Sequence, residues 1–165
     1  MTAIRVGDES PRAADVVTLL EAHLADMRRT SPPGSVHALP VEALAAPHVR
    51  FLTARDGDGV LLGCGAVQDL GGEGEVKSMR TEPAARGRGV ASQLLRALIA
   101  IARDSGWSRL SLETGTQPFF APAVRLYLRH GFVPCGPFGA YTEDPSSRYL
   151  TLDLRPVPVE HLSRP

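Results

Sequence analysis

Four consecutive residues, Arg86, Gly87, Arg88 and Gly89, stand in the stretch Arg86-Gly87-Arg88-Gly89-Val90-Ala91. An apolar strand-like run, Val76 to Thr81, and the breaker Pro83 precede it. A helix-like run with Val90, Leu94, Leu95, Leu98 and Ile101 follows. Strand, glycine-rich basic loop and helix in that order can hold a diphosphate. Glycines let the backbone approach the phosphates, and the first N–H groups of a helix point outward unpaired. Arginines add charge-assisted contacts. A Walker loop would need a Gly-Lys pair, and the chain has none. A dinucleotide loop needs three glycines in its βα turn, and only Gly87 and Gly89 are present.

Other residue types fit proton transfer. Glu75 begins the strand before the loop, and on an extended chain it shares a face with Lys77 and Met79. Glu113 lies in Leu112-Glu113-Thr114-Gly115. Tyr127 sits on a helical pattern with Ala123, Leu126 and His130, where an amphipathic core tyrosine is the plain reading. His37 lies in the loop Ser31 to Leu39, and imidazole titrates near pH 6.5, suited to proton transfer at neutral pH. His23, His48, His130 and His161 have no ligand spacing, so no metal site is expected.

The spacing Arg86-x-x-Gly89-x-Ala91 matches the Gln/Arg-x-x-Gly-x-Gly/Ala signature. Leu126-Tyr127-Leu128-Arg129-His130-Gly131-Phe132 looks like a Leu-Tyr-x-x-x-Gly-Phe helix ending. On these two motifs the chain resembles the GNAT family of N-acetyltransferases, over nearly its whole length. It is also similar to a bacterial subgroup with counterparts of Ser31 to Leu39, Lys77 to Thr81, Leu112 to Gly115 and Cys135 to Phe138.

The resemblance implies acetyl-coenzyme A as cofactor and transfer of acetyl to a primary amine. It implies that Arg86, Gly87, Arg88, Gly89, Val90, Ala91 and Ser92 bind the pyrophosphate. Main-chain groups of Met79, Arg80 and Thr81 would hold the pantetheine arm as an added strand, with the Met79 N–H polarising the thioester carbonyl. Tyr127 is the implied general acid, beside the cofactor sulfur. Glu75 is the matched general base, with Glu113 as rival or as contact to the substrate ammonium, and His37 as a third candidate. Phe119, Tyr141, Glu113 and His37 would border the acceptor. Phe120 stands where many members carry an asparagine that helps hold the arm, and it is expected to pack against the arm or shape the pocket. A small acceptor, an amino acid or polyamine-like metabolite, is the expected substrate. Acetylation of a protein lysine or N-terminus, and a non-catalytic acyl-coenzyme A sensor, are the rival readings. Dimers are common in the family, so a homodimer is a further option.

These residues need elements to position them. Thr2 to Val6 reads as a first strand, and Pro11 opens a helical pattern through Val16, Leu19, Leu20, His23, Leu24 and Met27. Arg28 to Ala38 is a loop by composition, and Pro40 to Ala45 a short helix. Val49 to Ala54 and Val60 to Leu70 read as a hairpin joined at Asp56-Gly57-Asp58-Gly59. After a turn at Gly71 to Gly74 come the strand Glu75 to Thr81 and the helix Val90 to Asp104, stopped by Gly106. Leu110 to Glu113 is a strand, Pro118 to His130 a helix stopped by Gly131, and Phe132 to Pro134 and Tyr149 to Leu154 the last strands. This order also matches the family. It implies an α/β (α+β) GNAT fold: a mixed, mostly antiparallel sheet of six to seven strands, splayed at its centre, with about four helices. Residues 1–154 are expected to form one domain, and 155–165 a loose tail.

Composition sets bounds. The chain has 165 residues, 43% hydrophobic and 22% charged, with a formal net charge of zero. That suits one soluble domain with a real core, and gives no push towards nucleic acid or anionic membranes. Two cysteines, Cys64 and Cys135, make no disulfide framework, so a reducing cytoplasm is expected. The N-terminus does not read as a signal peptide, and no apolar run reaches membrane-spanning length.

Overall fold

Seven strands hydrogen-bond into one sheet in the computed structural model, which describes residues 3–155. They are β1 (Arg5–Asp8), β2 (Val49–Arg55), β3 (Leu61–Asp69), β4 (Gly74–Thr81), β5 (Arg109–Gly115), β6 (Val133–Cys135) and β7 (Ser147–Asp153). Their order is β1-β2-β3-β4-β5-β7-β6, and every neighbouring pair is antiparallel except β4 and β5. Four helices flank the sheet: α1 (Ala14–Thr30), α2 (Val41–Leu44), α3 (Val90–Asp104) and α4 (Ala121–Arg129). The expected fold class is the one observed.

Both faces of the central strands are covered, so β3 reads as an almost unbroken buried run. Leu62 and Val67 join the larger core, under α3, with Val90, Leu94, Leu95, Leu98, Ile99 and Ala102. Leu61, Cys64 and Ala66 face the smaller one, with Val16, Leu19 and Leu20 of α1. Burying a leucine contributes about 1.5–3 kcal/mol, so the three fully buried leucines of α3 fix that helix against the sheet.

Two irregularities in β4 shape the centre. Its ladder with β5 has only the pairs Gly74↔Leu110 and Glu75↔Ser111, whereas β5 stays paired with β7 as far as Gly115. From Val76 onward β4 and β5 therefore part. On its other side the register with β3 slips between Cys64 and Ala66, and Ser78 takes a positive φ of 55°. That is a β-bulge, which re-aims a strand. The Cys64 thiol donates to the Ser78 carbonyl at 3.3 Å. Burial pushes this thiol up to about 12, so it remains a neutral donor.

A glycine permits the close approach of the next layer. A Cβ on Gly63 would lie 2.7 Å from the Arg80 carbonyl oxygen and 3.0 Å from Val90. A backbone atom cannot swing aside, so Gly63→Ala is expected to cost about 1–3 kcal/mol. Thermal unfolding should show this as a Tm about 2–12 °C lower.

Some boundaries differ from expectation. Thr2, the expected start of the first strand, lies outside the described residues; the strand spans Arg5–Asp8 and runs past Val6, because its pairing with β2 continues to Asp8↔Leu52 and Asp8 binds Arg50 at 2.8 Å. Helix α1 continues to Thr30, where Thr30 donates its hydroxyl to the Asp26 carbonyl. The segment Pro118 to His130 is not one helix: Pro118–Phe120 is a 3-10 turn leading into α4. Pro122 has no N–H for an α-type bond to the Pro118 carbonyl, and the Ala121 N–H takes that carbonyl instead. The expected tail, beyond Arg155, lies outside the described residues.

Candidate active site

The parting of β4 from β5 opens a cleft of about 550 Å³. At one end lies the loop that joins β4 to α3. Gly87 and Gly89 both hold positive φ, 77° and 78°, a region open to glycine at little cost. A Cβ at either would meet nothing within 4 Å, so the loop backbone is open to a ligand. The Gln93 N–H is bonded to the Gly89 carbonyl, while the N–H groups of Val90, Ala91 and Ser92 precede the first intrahelical bond. Arg86, Gly87, Gly89, Val90, Ala91 and Ser92 all border the cleft. Arg88 does not; Arg129, at the end of α4, does. Sequence reasoning missed Arg129 because only the packing of α4 brings it beside the loop. Ser92 is engaged with His130 Nε2 at 3.2 Å, and burial lowers the pKa of that imidazole, leaving it able to accept.

The middle of the cleft is walled by β4. Met79 points its side chain away, with its sulfur over Gly65, and leaves its backbone to the cleft. Arg80 is bound to Asp26 at 2.5 Å, and its Nε is buried without a partner among the described residues. An amide carbonyl laid along β4 would satisfy such a donor. His23 beside it is held neutral, its pKa lowered to about 4 by burial and then by the Arg80 charge. Thr81 completes this wall. Phe120 is buried over Gly115, whose Cβ would meet its ring at 2.2 Å, and Phe119 packs edge-on to it at 5.1 Å. Both phenylalanines border the cleft. A cleft with open glycines at a helix start, a bare strand edge and a spare buried donor fits a long diphosphate-and-amide cofactor such as acetyl-coenzyme A.

Tyr127 enters from α4. It is buried, it packs against Phe132 at 5.7 Å, and its hydroxyl has no hydrogen-bond partner among the described residues. Burial, with the Glu113 charge, raises its pKa, so the phenol is protonated at neutral pH.

The acceptor end lies where the loop 31–39 meets the loop 136–146. Glu75 Oε2 accepts from the Tyr141 hydroxyl at 2.5 Å and forms an ion pair with Lys77 Nζ at 3.1 Å. Lys77 also donates to the Tyr141 oxygen at 2.8 Å and to the His37 carbonyl at 3.3 Å. The His37 ring packs edge-on to Tyr141 at 5.0 Å. Ser35 donates to Asp144 at 2.5 Å, joining the two loops directly. Glu113, from β5, accepts only from Ser147, at 3.0 Å, among the described residues. Burial raises its pKa to about 7, against the smaller opposing effects of the Ser147 bond and the Lys77 charge. Glu75, Glu113, Tyr127, His37, Phe119 and Tyr141 are thus brought to one cleft.

Known proteins are similar to this chain in sequence and fold. The model of the acetyltransferase (GNAT) family matches residues 17–132. The uncharacterized N-acetyltransferase YsnE of Bacillus subtilis is 45% identical over 152 residues, covering 92% of this chain and 99% of its own. The uncharacterized N-acetyltransferase YedL of Escherichia coli is 47% identical over 140 residues, covering 84% and 87%. A Klebsiella pneumoniae structure, solved as a candidate acyl-CoA N-acyltransferase, superposes with a TM-score of 0.74 at 30% identity, covering 92% of this chain and 98% of that one. The chain belongs to the GNAT acetyltransferase family and is an acetyl-CoA-dependent N-acetyltransferase.

Proposed function

We propose that the protein acetylates the primary amine of a small acceptor by direct attack on the thioester. The observation that carries the choice of a small acceptor is the bridging of the acceptor end by two loops. Ser35–Asp144 and the Lys77–Tyr141–His37 contacts tie two loops across it, which narrows the approach open to an extended peptide. Acetyl-coenzyme A, when bound, supplies the activated acetyl group. Arg86, the Gly87 and Gly89 backbone and the first N–H groups of α3 hold its diphosphate, with Arg80 Nε and the β4 edge along its arm. The Met79 N–H donates towards the carbonyl, and Tyr127 holds its proton towards the sulfur. Glu113 takes the amine's proton. Glu75 is the weaker choice because Oε2 already accepts from Tyr141 and is paired with the Lys77 charge, and His37 is third because its ring is packed against Tyr141.

The test is thiol release from acetyl-coenzyme A across amino acids, amines, polyamines, aminoglycosides and short peptides. Small amines should turn over fastest, and faster turnover of peptides would overturn the small-acceptor reading. The loop makes its own prediction. Arg86→Ala should weaken acetyl-coenzyme A about 10-fold or more by calorimetry, as expected for loss of a charge-assisted contact. Arg88→Ala should change it less than about 3-fold.

A further inference from the structure

The acceptor end continues outward into a second cavity of about 490 Å³, which shares His37, Glu75, Lys77 and Tyr141 with the cleft. Glu143 and Asp144 also border it, and Lys77 is its one lysine or arginine among the described residues. An ammonium has three hydrogens to donate. Lys77 donates to the Tyr141 oxygen and the His37 carbonyl, and its charge is paired with Glu75 at 3.1 Å. Glu113, at the inner end, has a hydroxyl partner but no ion pair among the described residues, and the Lys77 charge reaches it only as an effect smaller than burial. Asp144 is occupied by Ser35 and the Ser146 N–H, contacts that hold it ionised.

We infer that the acceptor is an amine that lacks a carboxylate beside its amino group, because this end offers unmatched carboxylates and only one lysine, whose charge is already paired with Glu75. The inference rests on the acetyl-transfer reading above and narrows its substrate class. An incoming ammonium supplies the counter-charge that Glu113 lacks. An α-carboxylate would sit among Glu75, Glu113, Glu143 and Asp144 with no free cation to meet it, and like charges brought together across an interface are strongly disfavoured. A diamine gains further, since its second ammonium can reach Glu143 or Asp144 at the rim.

The experiment compares matched pairs with the full-length protein: phenethylamine with phenylalanine, histamine with histidine, putrescine with ornithine. Thiol release gives kcat/KM, and calorimetry on the coenzyme A-loaded protein gives binding without turnover. Each amine is expected to exceed its amino acid by about 10- to 100-fold in one or both readouts. Glu143→Lys, at an exposed position, should narrow that gap without disturbing the fold. Amino acids handled as well as their amines, or no binding by any amine, would overturn the inference. Failure to bind acetyl-coenzyme A in the same calorimeter would sink the broader reading instead.

Discussion

Tyr127→Phe should lower kcat by about 10²-fold while acetyl-coenzyme A affinity changes less than about 3-fold. The substitution removes one oxygen and leaves the ring against Phe132. That oxygen has no protein partner among the described residues, although the residue is only 6% exposed. Keeping an unpartnered hydroxyl in a largely buried position has a cost, so Tm should hold or rise slightly. Loss of rate without loss of fold is the signature of a group used in the reaction. The low end of the general-acid range is expected for a specific reason. Burial raises this phenol above its ordinary pKa of about 10, while a thiol ionises near 8.5. Full proton transfer to a thiolate is therefore uphill, and the role proposed for Tyr127 is mainly a hydrogen bond to developing negative charge. The kcat profile should accordingly show no basic limb from this phenol below about pH 10. Unchanged turnover in Tyr127→Phe would remove the assignment and favour a protein that binds acyl-coenzyme A without using it.

The sequence made the central helix legible to the residue, Val90–Asp104, because its apolar period, the glycine before it and Gly106 after it all agree. The loop and Tyr127 were legible for a related reason: a short motif fixes both the backbone and the residues on it. What the sequence hid depends on packing. Lys77 reads as an ordinary strand residue, yet it ties Glu75 to loops about 40 and 64 positions away in the chain. The family pattern put Glu75 first as base, but its partner Tyr141 lies in an irregular loop whose path no periodicity encodes. The placement of Glu113 on the cleft wall follows from the parting of β4 and β5, a tertiary event. Arg88 looked equal to Arg86, and only the left-handed turn at Gly87 and Gly89 decides which faces the cleft.

Glu113→Gln should produce opposite effects on rate and stability, and this separates a proton acceptor from a structural carboxylate. Glu113 has a pKa of about 7, raised from 4.5 mainly by burial. In the role proposed for Glu113 the ionised form is the base, so kcat/KM for the amine should fall as pH drops below about 7 in the wild type. The amide that replaces the carboxylate in the variant cannot accept the proton. Turnover at pH 8 should drop by about 10²-fold, and the limb near pH 7 should vanish. Stability runs the other way. Between pH 4.5 and 7 the folded protein keeps a proton on Glu113 that the unfolded chain has released. Raising pH through this window therefore destabilises the wild type, and above it the full cost of the buried charge is present. The uncharged amide escapes that cost and can still accept from Ser147. At pH 8 the variant should be more stable by about 1–3 kcal/mol, allowing for partial solvent access, with the gain gone at pH 4. Denaturant melts at the two pH values, beside the rate profile, give the test. A variant less stable at pH 8 would mean that Glu113 is satisfied in the fold by contacts worth more than its charge costs. A retained limb near pH 7 would return the proton to Glu75 or His37. A carboxylate kept at a cost to the fold, where a neutral amide would fit, is what a site held for its chemistry requires.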